Sequence, residues 1–153
     1  MAGAYEAGVS VTDITPPLGT PIGGNFRPDA GARGVHMPLW SHALALRDAD
    51  GGGVVMVSAD LMCLTDAMTA HVRRRARQAI GPEMPRVMAC ATHTHSGPAT
   101  ISLADGCEAA PEAVIEVICD RIADGVVRAW ADLRPASLRW AAFEEPRLVF
   151  NRR

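Results

Sequence analysis

Hydrophobic and polar positions alternate along residues 5–14, YEAGVSVTDI, and again along residues 38–47, PLWSHALALR. A period of two sends successive side chains to opposite faces of an extended chain, so each run predicts a strand. The turn chemistry of DADGG (48–52) follows the second run, and GVVMVSADL (53–61) reads as its antiparallel hairpin partner. Then the period changes. Met68, Val72, Ala76 and Ile80 stand four apart behind Thr65, which predicts a helix capped by the threonine hydroxyl and stopped at Gly81-Pro82. RVMACAT (86–92) is a continuous apolar run, the pattern of a strand covered on both faces. Strand, helix, strand in that order predicts a right-handed parallel crossover from 53–61 to 86–92. Pro111 opens a second helix reaching about Leu133, with Val114, Ile118, Ile122, Val126, Trp130 and Leu133 as its core-packing stripe. ASLRWAAF (136–143) predicts a last strand. The fold class that follows is α/β, a mixed β-sheet with flanking helices.

Between the first two strands lies a segment without periodicity. Residues 15–37 begin TPPLGTPIGG and hold five glycines and four prolines. A loop of that length inside a compact domain is usually functional or disordered. His36 lies in it.

Composition narrows the function classes. The 153 residues carry 48% hydrophobic and 21% charged residues, enough apolar content for one domain with a core. A formal net charge of −2 gives no basic excess to attract nucleic acid or an anionic membrane. No apolar run approaches the roughly 20 residues that span a bilayer. All 15 basic residues are arginine, which removes lysine Schiff-base and lysine-nucleophile chemistry. Cys63, Cys90, Cys107 and Cys119 form no C-x-x-C pair, and Cys90 and Cys119 read as buried thiols. With no basic, apolar leader at the N-terminus, these thiols predict a cytoplasmic location.

The chemistry concentrates in residues 89–98, ACATHTHSGP, where His93 and His95 follow the buried strand. Ligands in open α/β sheets bind outside the carboxyl ends of strands. His-x-His on a strand sends both imidazoles to the same face, because the side-chain period is two, a geometry that suits a metal ion or a ligand beside a proton-transfer group. Histidines that merely cap a strand end would give the same pattern. Metallo-β-lactamase-like enzymes continue H-x-H with x-Asp-His, but Gly97-Pro98 stand in those places. Amidohydrolase barrels carry H-x-H on their first strand, whereas here three predicted strands come earlier.

Four segments in order, DITPPLGTPIGG, RGVHMPLWSHALAL, VVMVSADL and ACATHTHSGPA, closely resemble the N-terminal catalytic domain of the neutral/alkaline non-lysosomal ceramidases and their bacterial relatives. The resemblance covers nearly the whole chain, and THTHSGP is its most specific part. It implies a zinc-dependent amidase that cleaves ceramide to a fatty acid and sphingosine. It implies His93 as a zinc ligand and His95 as the catalytic neighbour that binds and polarises substrate. It also implies ligands that this chain does not hold, since no histidine follows His95 and the only tyrosine is Tyr5. Where ceramidases usually carry a Gly-Tyr pair, the loop here reads GGNF. Residues 1–153 are therefore expected to be a single domain or the N-terminal fragment of a longer catalytic domain, whose members are often secreted or membrane-associated.

The expected cofactor is Zn2+ and the expected partner a lipid-like N-acyl amide, with no nucleic acid and no transmembrane segment. Homo-oligomerisation, or association with the remainder of the domain, is expected of an incomplete sheet. The alternative is a non-catalytic or incomplete metal-binding module that packs against another chain. His36 and Asp60 are candidate site-lining residues, Asp60 because it ends the strand parallel to the motif strand. His42, His71 and Asp13 read as structural or exposed, and Arg73, Arg74, Arg75 and Arg77 as a solvated helix face.

Overall fold

A computed structural model describes residues 5–24, 31–102 and 108–147. The elements run β1 (Tyr5–Asp13), β2 (Trp40–Asp48), β3 (Gly53–Ala59), α1 (Asp66–Ile80), β4 (Arg86–Ala91), α2 (Glu112–Ala131) and β5 (Arg134–Ala136). The strands form one sheet in the order β4-β3-β2-β1-β5. β2 and β3 pair antiparallel as the hairpin pattern predicts, β1 pairs antiparallel with β2, and β3 pairs parallel with β4 through α1. The α/β mixed sheet is thus the observed class.

The helix α1 forms where its sequence asks. Thr65 is extended and its hydroxyl accepts from the Met68 N–H, while Gly81 ends the helix at φ 84°. Met68, Val72 and Ala76 are buried, so the four-residue spacing is the core face. α2 buries Ile118, Ile122 and Val126 in the same cluster with Val55 and Val57. Each such fully buried aliphatic side chain contributes about 1.5–3 kcal/mol. The two helices are tied at their outer faces: His71 and Arg75 of α1 both bond Asp120 of α2, at 2.8 and 2.9 Å. These bonds, first that from His71, hold the Asp120 carboxyl below its usual range. The stabilisation is present above the unfolded carboxylate pKa and is lost as pH falls through the depressed folded one; for groups this exposed it is at most about 1 kcal/mol.

Both helices cover the same face of the sheet, and this corrects two sequence expectations. Among the described residues β4 is covered on one face only: Val87 is buried, while Met88 is 58% exposed and Cys90 is exposed. Cys119 is buried as expected, and burial pushes its thiol up to about 11; Cys107 lies outside the described residues. The last strand is shorter than the 136–143 pattern and starts earlier, because only Arg134–Ala136 finds partners on β1. Beyond it Leu138, Trp140 and Phe143 are exposed. On the open face, Val9, Leu44, Met56 and Met88 lie side by side across four strands in register. No described helix is long and apolar enough to cross a membrane.

The helix layer is seated by a glycine. A methyl group on Gly8 of β1 would stand 2.1 Å from the Ala129 carbonyl oxygen of α2, so backbone meets backbone there. Gly8→Ala is expected to destabilise the fold by about 3 kcal/mol through overpacking, read as a lower urea midpoint. An unchanged midpoint would mean that α2 does not approach β1 this closely.

Candidate active site

The site begins where three strands end. The Asp60 carboxylate follows β3 and accepts from the Trp40 N–H of β2 at 2.9 Å and from the Thr92 hydroxyl, just past β4, at 3.2 Å. Backbone bonds reinforce it: the Asp60 N–H donates to the Trp40 carbonyl and the Thr92 N–H to the Ala59 carbonyl. β4 therefore stops at Ala91, before the histidines.

His93 then adopts φ 62°, the one described non-glycine residue with positive φ. That conformation costs a non-glycine residue about 1–3 kcal/mol and tends to persist only where surrounding contacts fix it. One such contact is the Met62 carbonyl, 2.7 Å from His93 Nδ1. A carbonyl only accepts, so Nδ1 carries the proton and Nε2 presents its lone pair. The Nε2 atoms of His93 and His95 stand 3.5 Å apart, and the two rings meet edge to face with centroids 5.0 Å apart. The imidazoles converge as the motif predicts, but for a different reason. Strand alternation does not bring them together, because neither lies in a strand; a left-handed turn does.

The following turn anchors this arrangement. The Ser96 N–H donates to the Thr94 hydroxyl, Gly23 N–H donates to the Gly97 carbonyl, and Ala99 N–H donates to the Pro21 carbonyl. The Gly-Pro-rich loop thus runs alongside Gly97–Ala99, with Pro98 fully buried. A cavity of about 560 Å³ opens between that loop and the strand ends. His36 and Asp60 both line it, with Thr92, Thr94, Ser96 and Met37. His93 and His95 are not among its lining residues, whereas Thr92, Thr94 and Ser96, which alternate with them in the same segment, are. Asp60 makes no described bond to His93; orientation of that ring falls to the Met62 carbonyl.

Other candidates take structural places. Asp13 accepts from the Thr15 N–H at 2.8 Å, and the bonds from Thr15 lower its carboxyl pKa. His42 is exposed on β2. Arg73 holds the Val87 carbonyl, 2.9 Å from its terminal nitrogen. Sequence reasoning missed two contributors, the Met62 carbonyl and Gly24, whose α-carbon lies against the His95 ring. The first is a backbone group with no residue-type signature; the second was visible only as one glycine among five in a loop.

These features define an α/β domain with a paired-histidine site at its strand ends. The family described as neutral/alkaline non-lysosomal ceramidase, N-terminal, matches residues 5–152, and this chain belongs to it. Two relatives from Dictyostelium discoideum, Neutral ceramidase A and Neutral ceramidase B, are 29% and 27% identical over 148 residues. The match covers 88% of this chain and 20% of each relative, so the chain spans about a fifth of their length. The crystal structure of neutral ceramidase from Pseudomonas aeruginosa superposes with a TM-score of 0.75 at 28% identity, over 87% of this chain and 22% of that one. A structure titled as ceramidase complexed with C2 gives the same values.

The left-handed turn gives a direct test. Both His93→Gly and His93→Ala remove the bond to Met62, but only glycine adopts φ 62° without a steric penalty. The glycine variant should be more stable than the alanine variant by about 1 kcal/mol, measured by chemical denaturation. Equal stabilities would mean that residue 93 is not held left-handed in solution.

Proposed function

We propose that this domain supplies His93 as a zinc ligand, and His95 as the catalytic residue beside it, for hydrolysis of the amide bond of ceramide-like N-acyl lipids. The observation that carries the reading is the bond from His93 Nδ1 to the Met62 carbonyl, within the residues that match the ceramidase family. A neutral imidazole with its proton on Nδ1 and a carbonyl behind it is the usual form of a zinc-binding histidine. A bound zinc would supply a water of pKa about 7 and polarise a carbonyl.

The roles of this chain's own residues follow from placement. Met62 fixes the His93 ring, so that Nε2 faces His95. The His95 ring lies within reach of a group held at His93 Nε2, where it can donate a hydrogen bond to the amide oxygen or a proton to the departing amine. The exposed position of both histidines admits substrate from solvent. Three protein ligands are the norm for catalytic zinc. Among the described residues no group of three His, Cys, Asp or Glu side chains could hold a metal ion, and His36 does not join the pair. In this reading the remaining donors come from outside these residues. That shortfall is also the observation favouring the second reading, an incomplete metal-binding module without turnover.

The test measures fatty-acid release from N-acyl lipids by the protein that carries this domain, with and without chelator. Activity should fall at least about 100-fold on chelation and in His93→Ala; activity indifferent to both sinks the zinc mechanism. The 153-residue chain alone should bind zinc weakly and hydrolyse little. Tight stoichiometric binding lost in His93→Ala would show instead that the shell is complete within it.

Association with further polypeptide is part of the same proposal. Val9 is 62% exposed and Met88 58% exposed in one apolar row of the sheet, a surface of the kind that marks interaction sites. The isolated chain should therefore self-associate in sedimentation velocity, and Val9→Lys with Met88→Lys should return it to monomer. A wild-type chain that stays monomeric at high concentration would remove the open face as a contact surface.

A further inference from the structure

We propose that the Gly23-Gly24 pair is a positioning device that sets the two imidazoles against each other, an inference that rests on the reading of His93 and His95 as the working site. Gly24 has φ +85°, and a Cβ built on it would fall 2.6 Å from Cγ, 2.8 Å from Nδ1 and 2.9 Å from Cδ2 of His95. Those three atoms belong to one ring, so the imidazole lies against the Gly24 α-carbon in space that any other residue would fill. Gly23 serves the other arm. A Cβ there would stand 3.0 Å from the Ala99 α-carbon and 3.3 Å from the Met62 sulfur. Met62 is the residue whose carbonyl orients His93. The Gly23 N–H also holds the Gly97 carbonyl at 3.0 Å, which fixes the pair relative to the histidine turn. Gly24 thus meets the His95 ring itself and Gly23 meets the side chain of the residue that orients His93, so one short loop packs against both arms of the pair.

Turn geometry alone does not account for this. Gly19, in the same loop, has φ +86° with nothing within 4 Å of a built Cβ. It has the same backbone requirement and no ring above it, which makes it an internal control. A methyl at either position carries the same left-handed penalty. Only at Gly24 does it also displace an imidazole.

The experiment compares Gly24→Ala with Gly19→Ala in this chain, with histidine ring contacts followed by NMR and zinc affinity by calorimetry. Gly24→Ala should abolish the nuclear Overhauser contact between the His93 and His95 rings and shift the His95 ring resonances, with zinc binding about 10-fold weaker. Gly19→Ala should leave both as in the parent. Retention of the parent ring contact in Gly24→Ala overturns the proposal. Loss of the contact with unchanged zinc affinity supports positioning by Gly24 and removes the metal reading of the pair, so the two ideas fail separately. Should Gly24→Ala prove too unstable for NMR, the double variant Gly24→Ala/His95→Ala decides. Removing the ring should recover stability to the level of Gly19→Ala, because the clash is with that side chain. A double variant no more stable than Gly24→Ala overturns the proposal.

Discussion

The carboxylate of Asp60 is the interaction on which the arrangement turns. Its two oxygens take one donor from the start of β2 and one from just past the end of β4, while its own backbone continues β3. An antiparallel pair and a parallel pair therefore end at one point. Sheet edges that stop without such a partner leave donors unsatisfied, at about 1–3 kcal/mol each when shielded from water. With those donors satisfied, the chain can leave the sheet abruptly after Ala91, and His93 can take a conformation that a continuing strand would forbid. Asp60 was a reasonable candidate for the site by position, but its hydrogen bonds are committed to the scaffold that builds the site.

Placement of both helices on one face of the sheet is the second constraint. The packed side holds small and β-branched residues close to α2, down to the backbone contact at Gly8. The other side holds the row Val9, Leu44, Met56 and Met88 without a described helix above it. A sheet with apolar residues on both faces is most stable between two layers. The sequence of β4 states this directly: after Arg86, VMACA is apolar at buried and exposed positions alike.

That is also why the sequence was legible in some places and misleading in others. The helix α1 was readable because its periodicity, its threonine cap and its glycine stop all agree. The β2–β3 hairpin and the parallel β3–β4 pair were readable from turn chemistry and element order. A continuous apolar run, by contrast, specifies what a strand would bury, not what covers it in these residues. The 136–143 pattern likewise carries strand propensity, yet a strand needs a neighbour, and β1 offers one only to Arg134–Ala136. At the site, the residue types were visible and their convergence was anticipated. The cause was not, since left-handed φ at a histidine and a carbonyl acceptor at Met62 leave no mark in residue pattern.

The proposed role asks how two exposed histidines are oriented by their surroundings. A flexible imidazole must lose ring freedom and adopt one tautomer before it can act as a directed donor or acceptor. Here the Met62 carbonyl selects the tautomer of His93, and the His95 ring lies in space that the missing side chain of Gly24 leaves open. The strain of φ 62° at His93, about 1–3 kcal/mol, is offset locally by that hydrogen bond, worth about 0.5–1.5 kcal/mol, and by the turn's attachment to residues 21–23. The folded chain thus already sets the two rings edge to face with no ligand present. In the proposed reading, a ligand or a further polypeptide that meets this surface finds the two imidazoles already facing each other, and ordering its own groups is the larger remaining cost.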